Sequence, residues 1–414
     1  MTERKAVTAA TRSRYQRASK QEKGKILDEF IELTGYHRVY AGTVLRTAAR
    51  RIVRDQPSRA ESESGVVKSR KVYDQQVLIR LRQIWMILDY ICGKRLVAIM
   101  PEVIRRLEYF GELKLELEVR AKLLRISAAS IDRLLRAERR KHELRGRGRT
   151  KPGTLLKKQI PLRTFSEWNE QRPGFVEIDL VGHDGGLVQG DYLFTLDLTD
   201  VYSGWTEVQA VQNKAQVWVF AALKQLRARL PFALQGIDSD NGSEFINADL
   251  LQYCQQQRLT FTRSRPYRKN DNCYVEQKNY TVVRRHVGYQ RLAGPEQLTV
   301  VNELYKHLRL YTNYFQPLMK LKHKERHGSQ VKKTYDAAQT PYQRLLQSPY
   351  LSVSSKRRLK TEYAGLNPAE LKRQIERLQE KLLKFAADTR PRRLYRRPES
   401  PWINHNSLFD ARKP

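Results

Sequence analysis

The most restrictive feature of the sequence is a change of periodicity at residue 174. From there, five short apolar runs bounded by Gly, Asp or Thr are typical of β-strands: FVEIDL, DYLFTLDL, TEVQAV, LQGIDSD and LTFTR. Three longer stretches are typical of helices: NKAQVWVFAALKQLRARL, NADLLQYCQQQ and NCYVEQKNYTVVRRHV. Three strands followed by helix, strand, helix, strand and helix predict a mixed α/β layer over residues 170–292.

The chain before this layer is predicted to be helical. One apolar stripe in residues 20–33 consists of Ile26, Leu27, Phe30 and Leu33. Gly35 interrupts the stripe, and the helix predicted after it carries Arg46, Arg50, Arg51 and Arg54. This outline predicts a helix-turn-helix DNA-binding module over residues 1–58. An ordinary helical hairpin has the same periodicity, but the basic second helix favours contact with DNA.

A second helical module is predicted over residues 66–141, after a polar linker. Near its end a helix reaches Leu124, and Ser127 is the expected N-cap of the next helix. That next helix carries four arginines, Arg133, Arg136, Arg139 and Arg140. The repeated outline strengthens the prediction that both helical modules bind DNA.

Three less regular segments complete the predicted organisation. Residues 142–169 are basic and rich in Gly and Pro, and fit either a solvated linker or a segment that follows phosphates. Residues 293–365 form a C-terminal basic region in which a small β domain is predicted. Residues 366–414 hold a helix and a basic tail; the helix has apolar spacings of four and three that fit a coiled coil or a helix docked on a core.

The distribution of charge points to a polyanionic partner. The formal net charge is +34 and the isoelectric point is about 10.2. Residues 174–290, however, hold 12 Lys and Arg against 13 Asp and Glu. A near-neutral centre between basic flanks is expected of a catalytic core with DNA-binding appendages.

The sequence also argues against several classes of protein. The N-terminus lacks the apolar core of a signal peptide, and no apolar run is long enough to span a membrane. The three cysteines form no CxxC pair, so neither a disulfide framework nor a cysteine zinc site is indicated. We therefore expect a cytoplasmic protein with no membrane partner.

The stretch GIDSDNGSEF concentrates Asp238, Asp240 and Glu244 in a very basic chain. A calcium loop of the EF-hand type does not fit, because Gly stands at the fifth position and apolar residues occupy ligand positions. A turn explains Asn241 and Gly242 but not the surrounding carboxylates. Asp240 ends a predicted strand, where its side chain can point into a cleft at the edge of the sheet.

Two further acids complete a possible metal site. Asp179 lies on a predicted strand with 60 residues between it and Asp240, and Glu276 lies on a predicted helix with 35 residues between it and Asp240. Mg²⁺ prefers hard oxygen ligands and is commonly held by carboxylates and substrate phosphate. Two strand-borne aspartates and one helix-borne glutamate can hold two such ions about 4 Å apart. We expect the three side chains to converge within a few ångströms.

This segment resembles the catalytic core of the retroviral integrase and DDE transposase superfamily. The resemblance covers about residues 170–290, and its residues are Asp179 in EIDL, Asp240 in SDNGSEF and Glu276 in YVEQKN. The helical modules before it, with the stretch TGYHRVYA, look like the DNA-binding N-terminus of bacterial insertion-sequence transposases. The resemblance implies an RNase H-like fold, with these three acids as catalytic residues and metal ligands.

The activity that the resemblance implies is metal-dependent phosphoryl transfer on DNA. Water nicks the 3′ end of a transposon, and the freed hydroxyl attacks target DNA. The implied cofactors are two Mg²⁺ ions, with Mn²⁺ as a substitute. The implied partners are terminal inverted repeats, target DNA and further copies of the chain in a synaptic complex, at the bacterial nucleoid.

Several residues and alternatives stay open at this stage. Asp238 shares a strand face with Asp240 and competes for the role of second acid, although the DNG context favours Asp240. Asp197 and His183 are expected to be structural. Arg284 is a candidate phosphate contact because it returns to the helical face of Glu276, whereas Lys278 points elsewhere.

Two other functions fit parts of the pattern. A catalytically inactive, transposase-derived DNA-binding regulator would have the helical modules without the chemistry. An RNase H-like nuclease acting on RNA–DNA hybrids would not require those modules. The zinc module of retroviral integrases, with its paired His and Cys, is not visible in the sequence.

Overall fold

The computed structural model describes most of the chain in two compact units. The described residues are 2–34, 41, 42, 45, 72–139, 170–187, 189–240, 242, 244, 245, 247–264, 272–327 and 330–388. One unit is formed within Met1–Arg70 and the other within Lys71–Pro414. The domain boundaries drawn from the sequence remain predictions.

The first unit contains two helices, α1 (Thr2–Arg17) and α2 (Lys20–Thr34). Phe30 packs with Ala41 and Leu45 in a small core. An ion pair at 2.9 Å between Arg14 and Glu29 joins the two helices. The arginines of the predicted recognition helix, Arg46, Arg50 and Arg51, lie outside the described residues, so this helix-turn-helix module remains a prediction.

The second unit begins with five helices: α3 (Gln75–Ile87), α4 (Gly93–Tyr109), α5 (Leu117–Arg125), α6 (Ala128–Leu134) and α7 (Arg136–Arg139). Ser127 caps α6 as expected, because its hydroxyl accepts a hydrogen bond from the Ser130 amide at 3.2 Å. The prediction of one long basic helix here is wrong: the helix is interrupted at Leu135, so α6 and α7 are both short.

The central sheet has the strand content that the periodicity predicts. Its order is β3-β2-β1-β4-β5, with β1 antiparallel to β2 and parallel to β4. The strands are β1 (Phe175–Gly182), β2 (Phe194–Asp200), β3 (Thr206–Val211), β4 (Gly236–Ser239) and β5 (Thr260–Arg263). The helices between them are α8 (Gln216–Arg229) and α9 (Ala248–Gln256).

The two faces of this sheet differ in composition because side chains alternate along each strand. Over β1 and β2, one face is apolar: Ile178 and Leu196 pack against Val219 and Leu223 of α8 and Leu250 of α9. The other face, here called the acidic face, carries three carboxylates on β1 and β2 and one on β4. They are Glu177, Asp179, Asp197 and Asp238.

The segment after β5 passes beside the acidic face. It consists of α10 (Cys273–Lys278), a π-helix (Asn279–Arg284) and α11 (Arg285–Val287). A hydrogen bond at 2.9 Å from the Val275 amide to Glu177 joins α10 to β1. A π-helical turn is wider than an α-helical turn and changes which residues share a face.

The C-terminal part of the unit is mainly helical. Its elements are α12 (Pro295–Phe315), the ribbon strands β6 (Leu321–His327) and β7 (Gln330–Tyr335), α13 (Pro341–Gln347), α14 (Val353–Ala364) and α15 (Pro368–Asp388). The small β domain predicted in 293–365 is therefore, among the described residues, a two-stranded ribbon. The apolar seam of α15 belongs to the main core, since Ile375 and Leu382 are buried there.

A buried ion network joins the first helices of the second unit to the sheet. Asp89, just after α3, pairs with Arg285 at 2.5 Å and with Lys372 of α15 at 2.8 Å. Burial alone would raise the pKa of Asp89, but the charges of Lys372 and Arg285 dominate and hold that pKa well below its usual range. The helical module and the sheet share one hydrophobic core.

Candidate active site

The first feature of the candidate site is a pair of aspartates on two neighbouring parallel strands, with Asp179 inside β1 and Asp240 directly after β4. The register pairs Ile178 of β1 with Ser239 of β4, and Asp179 and Asp240 are the next residues on each side. Neighbouring residues in register point to the same face of a sheet. The two predicted strand-borne acids therefore lie side by side.

The two carboxylates disfavour each other's ionisation. Burial is the larger cause that raises the pKa of Asp179, to about 7, and the negative charge of Asp240 raises it further. Burial also raises the pKa of Asp240, and the charge of Glu244 adds to the effect. A hydrogen bond at 2.8 Å from the Gly242 amide partly offsets this rise. A cation between two such carboxylates would stabilise both in the ionised form.

Asn279 holds one of these carboxylates in place, and the sequence analysis did not single it out. Its Nδ2 donates to Oδ2 of Asp179 at 2.6 Å, while the Leu180 amide donates to Oδ1 of Asp179 at 2.8 Å. Among the described residues, Oδ1 of Asn279 is buried without a hydrogen-bond partner. Asn279 is three residues after Glu276, a spacing that would place the two on one helical face.

Glu276, the third predicted acid, lies on α10 beside the acidic face. Its side chain on α10 is exposed. Its charge nevertheless raises the pKa of both Asp179 and Glu177, so it lies within electrostatic range of the acidic face. Within the described ranges, no three His, Cys, Asp or Glu side chains are grouped closely enough to hold a metal ion by themselves. The expected convergence of all three acids remains a prediction.

A deeper layer of acids lies under the aspartate pair. Glu177 and Asp238 are opposite each other in register and fully buried. Burial raises the pKa of Glu177 well above its usual range, although its Oε2 accepts a hydrogen bond from the Val275 amide. Asp238 accepts a hydrogen bond from the Thr262 hydroxyl. Because Asp238 is buried and bonded in this layer, Asp240 is the acid available at the end of β4.

Asp197 and Lys278 lie within electrostatic range of each other, next to Asp179. Asp197 lies opposite Asp179 in the register of β1 and β2 and is fully buried. Burial raises the pKa of Asp197 to about 8, and the charge of Lys278 opposes that rise. Burial in turn lowers the pKa of Lys278 to about 8. Lys278 is thus turned towards Asp197, whereas Glu276 on the same helix is exposed.

Two other residues named from the sequence have protein partners. His183 is buried and its Nε2 lies 2.8 Å from the Thr195 hydroxyl, which agrees with a structural role. Arg284 donates to the Gly182 carbonyl at 2.8 Å and lies over the Tyr289 ring at 5.0 Å. These contacts engage the guanidinium that was predicted to contact phosphate, and that role remains a prediction.

Of the arginines predicted to bind DNA in the two helical modules, the structure describes those on α6 and α7 of the second module. Arg133 on α6 and Arg136 on α7 are exposed, so both are accessible to a phosphate. No described helix is both long enough and apolar enough to cross a lipid bilayer.

The donor set of the site fits a hard divalent cation. Carboxylate oxygens of Asp179 and Asp240, with an amide oxygen at Asn279 and the carboxylate of Glu276 on the adjacent helix, are the ligand types that Mg²⁺ prefers. The main influences on the pKa values of Asp179 and Asp240 are burial, neighbouring acids and hydrogen bonds. Among the described residues, no Lys or Arg side chain is one of these main influences. The charge of the pair is therefore available to a metal ion.

Comparison with known proteins identifies the segment that contains the aspartate pair. The family model described as "Integrase core domain" matches residues 169–269. The chain is also 41% identical over 345 residues to "Uncharacterized protein y4rM" of Sinorhizobium fredii (strain NBRC 101917 / NGR234). That alignment covers 83% of this chain and 95% of the relative.

Solved structures of retroviral integrases are also similar to part of the chain. The HTLV-2 integrase catalytic core domain in complex with magnesium is 13% identical and covers 35% of this chain and 89% of that chain, with a TM-score of 0.27. The catalytic core domain of BIV integrase is 18% identical and covers 46% and 97%, with a TM-score of 0.27. A simian T-cell lymphotropic virus intasome in complex with PP2A regulatory subunit B56 gamma is 16% identical and covers 60% and 75%, with a TM-score of 0.30.

The match to the family model and the mixed sheet agree with each other. The matched residues of the integrase core family include β1 to β5. The order and directions of these strands fit the RNase H-like core that the resemblance implies. The relative extends the similarity over most of the chain. The chain belongs to the integrase and DDE transposase superfamily, in the same family as y4rM of Sinorhizobium fredii.

Proposed function

We propose that the protein is a DNA transposase that nicks the 3′ ends of a mobile element and transfers them into target DNA. The observation that carries this proposal is the pairing of Asp179 in β1 with Asp240 after β4, in which the charge of Asp240 raises the pKa of Asp179, within an integrase core segment. Two carboxylates held this close are stabilised by a divalent cation, and phosphoryl transfer to and from DNA depends on such cations.

The proposed ligands of the metal are Asp179, Asp240 and Glu276. Two Mg²⁺ ions, or Mn²⁺ in their place, would supply charge neutralisation at the scissile phosphate and activation of the attacking oxygen. Asn279 keeps the carboxylate of Asp179 in one orientation through its 2.6 Å hydrogen bond. Lys278 offsets the charge of Asp197 behind that carboxylate, so the site does not carry an additional buried negative charge.

The proposed reaction has two steps of the same kind. In the first, the oxygen of a water molecule bonds to the phosphorus at the end of the element, and the bond to the 3′ oxygen breaks to leave a 3′-hydroxyl. In the second, that hydroxyl attacks a phosphodiester of the target DNA and displaces a 3′ oxygen there. The chain contributes mainly by positioning these groups, which accounts for much of phosphoryl-transfer catalysis.

The proposed partners follow from the reaction. The net charge of +34 favours binding of DNA, and Arg133 and Arg136 are exposed candidates for contact with the terminal repeats. Two element ends must meet in one complex, so we infer a homo-oligomer on DNA. Such a reaction would take place in the bacterial cytoplasm, at the nucleoid.

The decisive test is cleavage of the DNA that flanks the coding region, with inverted repeats as the candidate element ends. We expect the purified chain to nick these ends in Mg²⁺, and Asp240→Asn to lower the rate by at least about 10³-fold while leaving DNA binding unchanged. Asp249→Asn is the matched control, because Asp249 is an exposed acid on α9 away from the pair. Binding without nicking by the wild-type chain would instead support a catalytically inactive DNA-binding regulator.

A further inference from the structure

The ribbon of β6 and β7, residues 321–335, is not built as part of the hydrophobic core. It is a separate two-stranded sheet. Lys322, Lys332 and Lys333 are exposed, and so are the apolar side chains of Val331 and Tyr335, at 39% and 47%. A two-stranded sheet without a buried face is only marginally stable by itself. Its sequence is thus better explained by a ligand than by core packing.

The charge of the ribbon identifies the chemistry of that ligand. Residues 320–335 contain six Lys and Arg and one acid, Glu325. Nε2 of His323 lies 2.8 Å from an oxygen of Glu325, so the single acid is engaged within the ribbon. A dense positive charge with exposed aromatic and apolar side chains complements a polyanion.

The root of the ribbon is fixed rigidly to the second unit. The Lys320 amide donates to Asp336 at 2.6 Å, and the Asp336 amide donates to the Lys320 carbonyl at 2.9 Å. Arg344 of α13 pairs with Asp336 at 2.7 Å. These bonds close the base of the hairpin and connect it to a helix, so the direction in which the ribbon leaves the unit is set.

The same root borders on the candidate active site. Nζ of Lys320 donates to the Tyr202 carbonyl at 2.9 Å and lies 5.8 Å from the centre of the Tyr274 ring. Tyr274 is on α10, two residues before Glu276. The ribbon therefore starts beside the helix that carries the third acid of the proposed site.

We propose that the β6–β7 ribbon is an arm that binds duplex DNA in a groove next to the candidate active site. A two-stranded ribbon fits the major groove, and lysine ammonium groups neutralise the phosphates at its edges. The place of the arm in the reaction rests on the proposed function. Binding of duplex DNA by the arm does not require catalysis and is tested without it.

The test compares two triple variants that remove equal charge from exposed positions of the same unit. One is Lys322→Ala with Lys332→Ala and Lys333→Ala on the ribbon; the control is Arg357→Ala with Arg358→Ala and Lys360→Ala on α14. The affinity for a fluorescent duplex carrying the element end is measured against salt concentration, without a divalent metal. Each lost phosphate contact lowers the slope of log K against log salt by about 0.9, so we expect a decrease of about 2.7 for the ribbon variant and almost none for the control.

The outcomes separate the arm from its alternatives. An unchanged slope of log K against log salt in the ribbon variant would overturn the proposal. An equal decrease of this slope in both variants would also overturn it, because DNA binding would then depend only on the net charge of the protein. An unchanged melting temperature shows that a loss of binding is not a loss of folding. The binding assay contains no divalent metal, so a negative nicking assay would not change its result. Conversely, a ribbon that does not bind DNA would not contradict nicking at the aspartate pair.

Discussion

The two faces of the central sheet are built from the same strands but have opposite effects on the stability of the fold. On β2, Leu196 points into the apolar layer under α8, and its neighbour Asp197 points to the acidic face. The apolar face stabilises the fold by removing side chains from water. The acidic face buries carboxylates whose pKa values are raised, which costs stability in the absence of a cation. The difference indicates that the acidic face is retained for function.

The largest expected effect on stability is at the apolar face. Leu196→Ala removes a fully buried side chain, and we expect it to lower the free energy of unfolding by about 2–5 kcal/mol, because transfer and cavity terms add. Urea denaturation of the second unit measures this loss.

The matched variant is Asp197→Asn, one residue further along β2. We expect it to lower the free energy of unfolding by less than Leu196→Ala does, because burial already raises the pKa of this carboxyl to about 8 and the amide oxygen of Asn can still accept from the Thr199 hydroxyl. Equal destabilisation by both variants would show that the two faces do not differ in the way described.

The next effect concerns Asn279, which orients Asp179. Removal of a group that orients a metal ligand lowers metal affinity or activity by roughly 10–100-fold, so Asn279→Ala should need correspondingly more Mg²⁺ for half-maximal nicking. Thr281→Ala is the control, because Thr281 is exposed in the same π-helix. An unchanged Mg²⁺ requirement in Asn279→Ala would show that Asn279 does not orient a metal ligand.

The smallest effect, taken over a single pH unit, is a dependence of stability on pH at His183, directly after β1. Burial lowers the pKa of His183 from 6.5 to about 3, so between these values the unfolded chain binds a proton that the folded chain does not. Stability from this group is lost as the pH falls from 6.5 towards 3, by up to about 1.4 kcal/mol per pH unit.

Unfolding at several pH values checks this slope. His183→Gln should make the dependence shallower, whereas Leu196→Ala should lower stability by a similar amount at each pH, since leucine does not titrate. A slope that His183→Gln leaves unchanged would assign the pH dependence to other groups.

The sequence predicted the sheet well because each strand is short, apolar and clearly bounded. It placed Asp179 and Asp240 on two strands of one α/β layer, and the parallel register of β1 and β4 makes them neighbours. It did not single out Glu177 or Asn279, and it treated Asp197 only as structural. Their significance depends on which face of the sheet is covered by α10, and strand alternation alone does not give that information.

The predictions for the helix after Glu276 were less successful for a specific reason. They assumed an α-helix, in which a residue eight positions later returns to nearly the same face. The chain instead widens into a π-helix at Asn279, so the phase of the later residues changes. Arg284, the last residue of the π-helix, contacts the Gly182 carbonyl.

The measurement that tests the central claim most directly is binding of Mn²⁺ to the chain without DNA, followed by electron paramagnetic resonance. We expect the wild-type chain and Asp249→Asn to bind Mn²⁺, and Asp240→Asn to bind at least about 10-fold more weakly, because only Asp179 of the aspartate pair remains. Equal binding by Asp240→Asn and the wild-type chain would contradict the account, since the cation would then lie elsewhere.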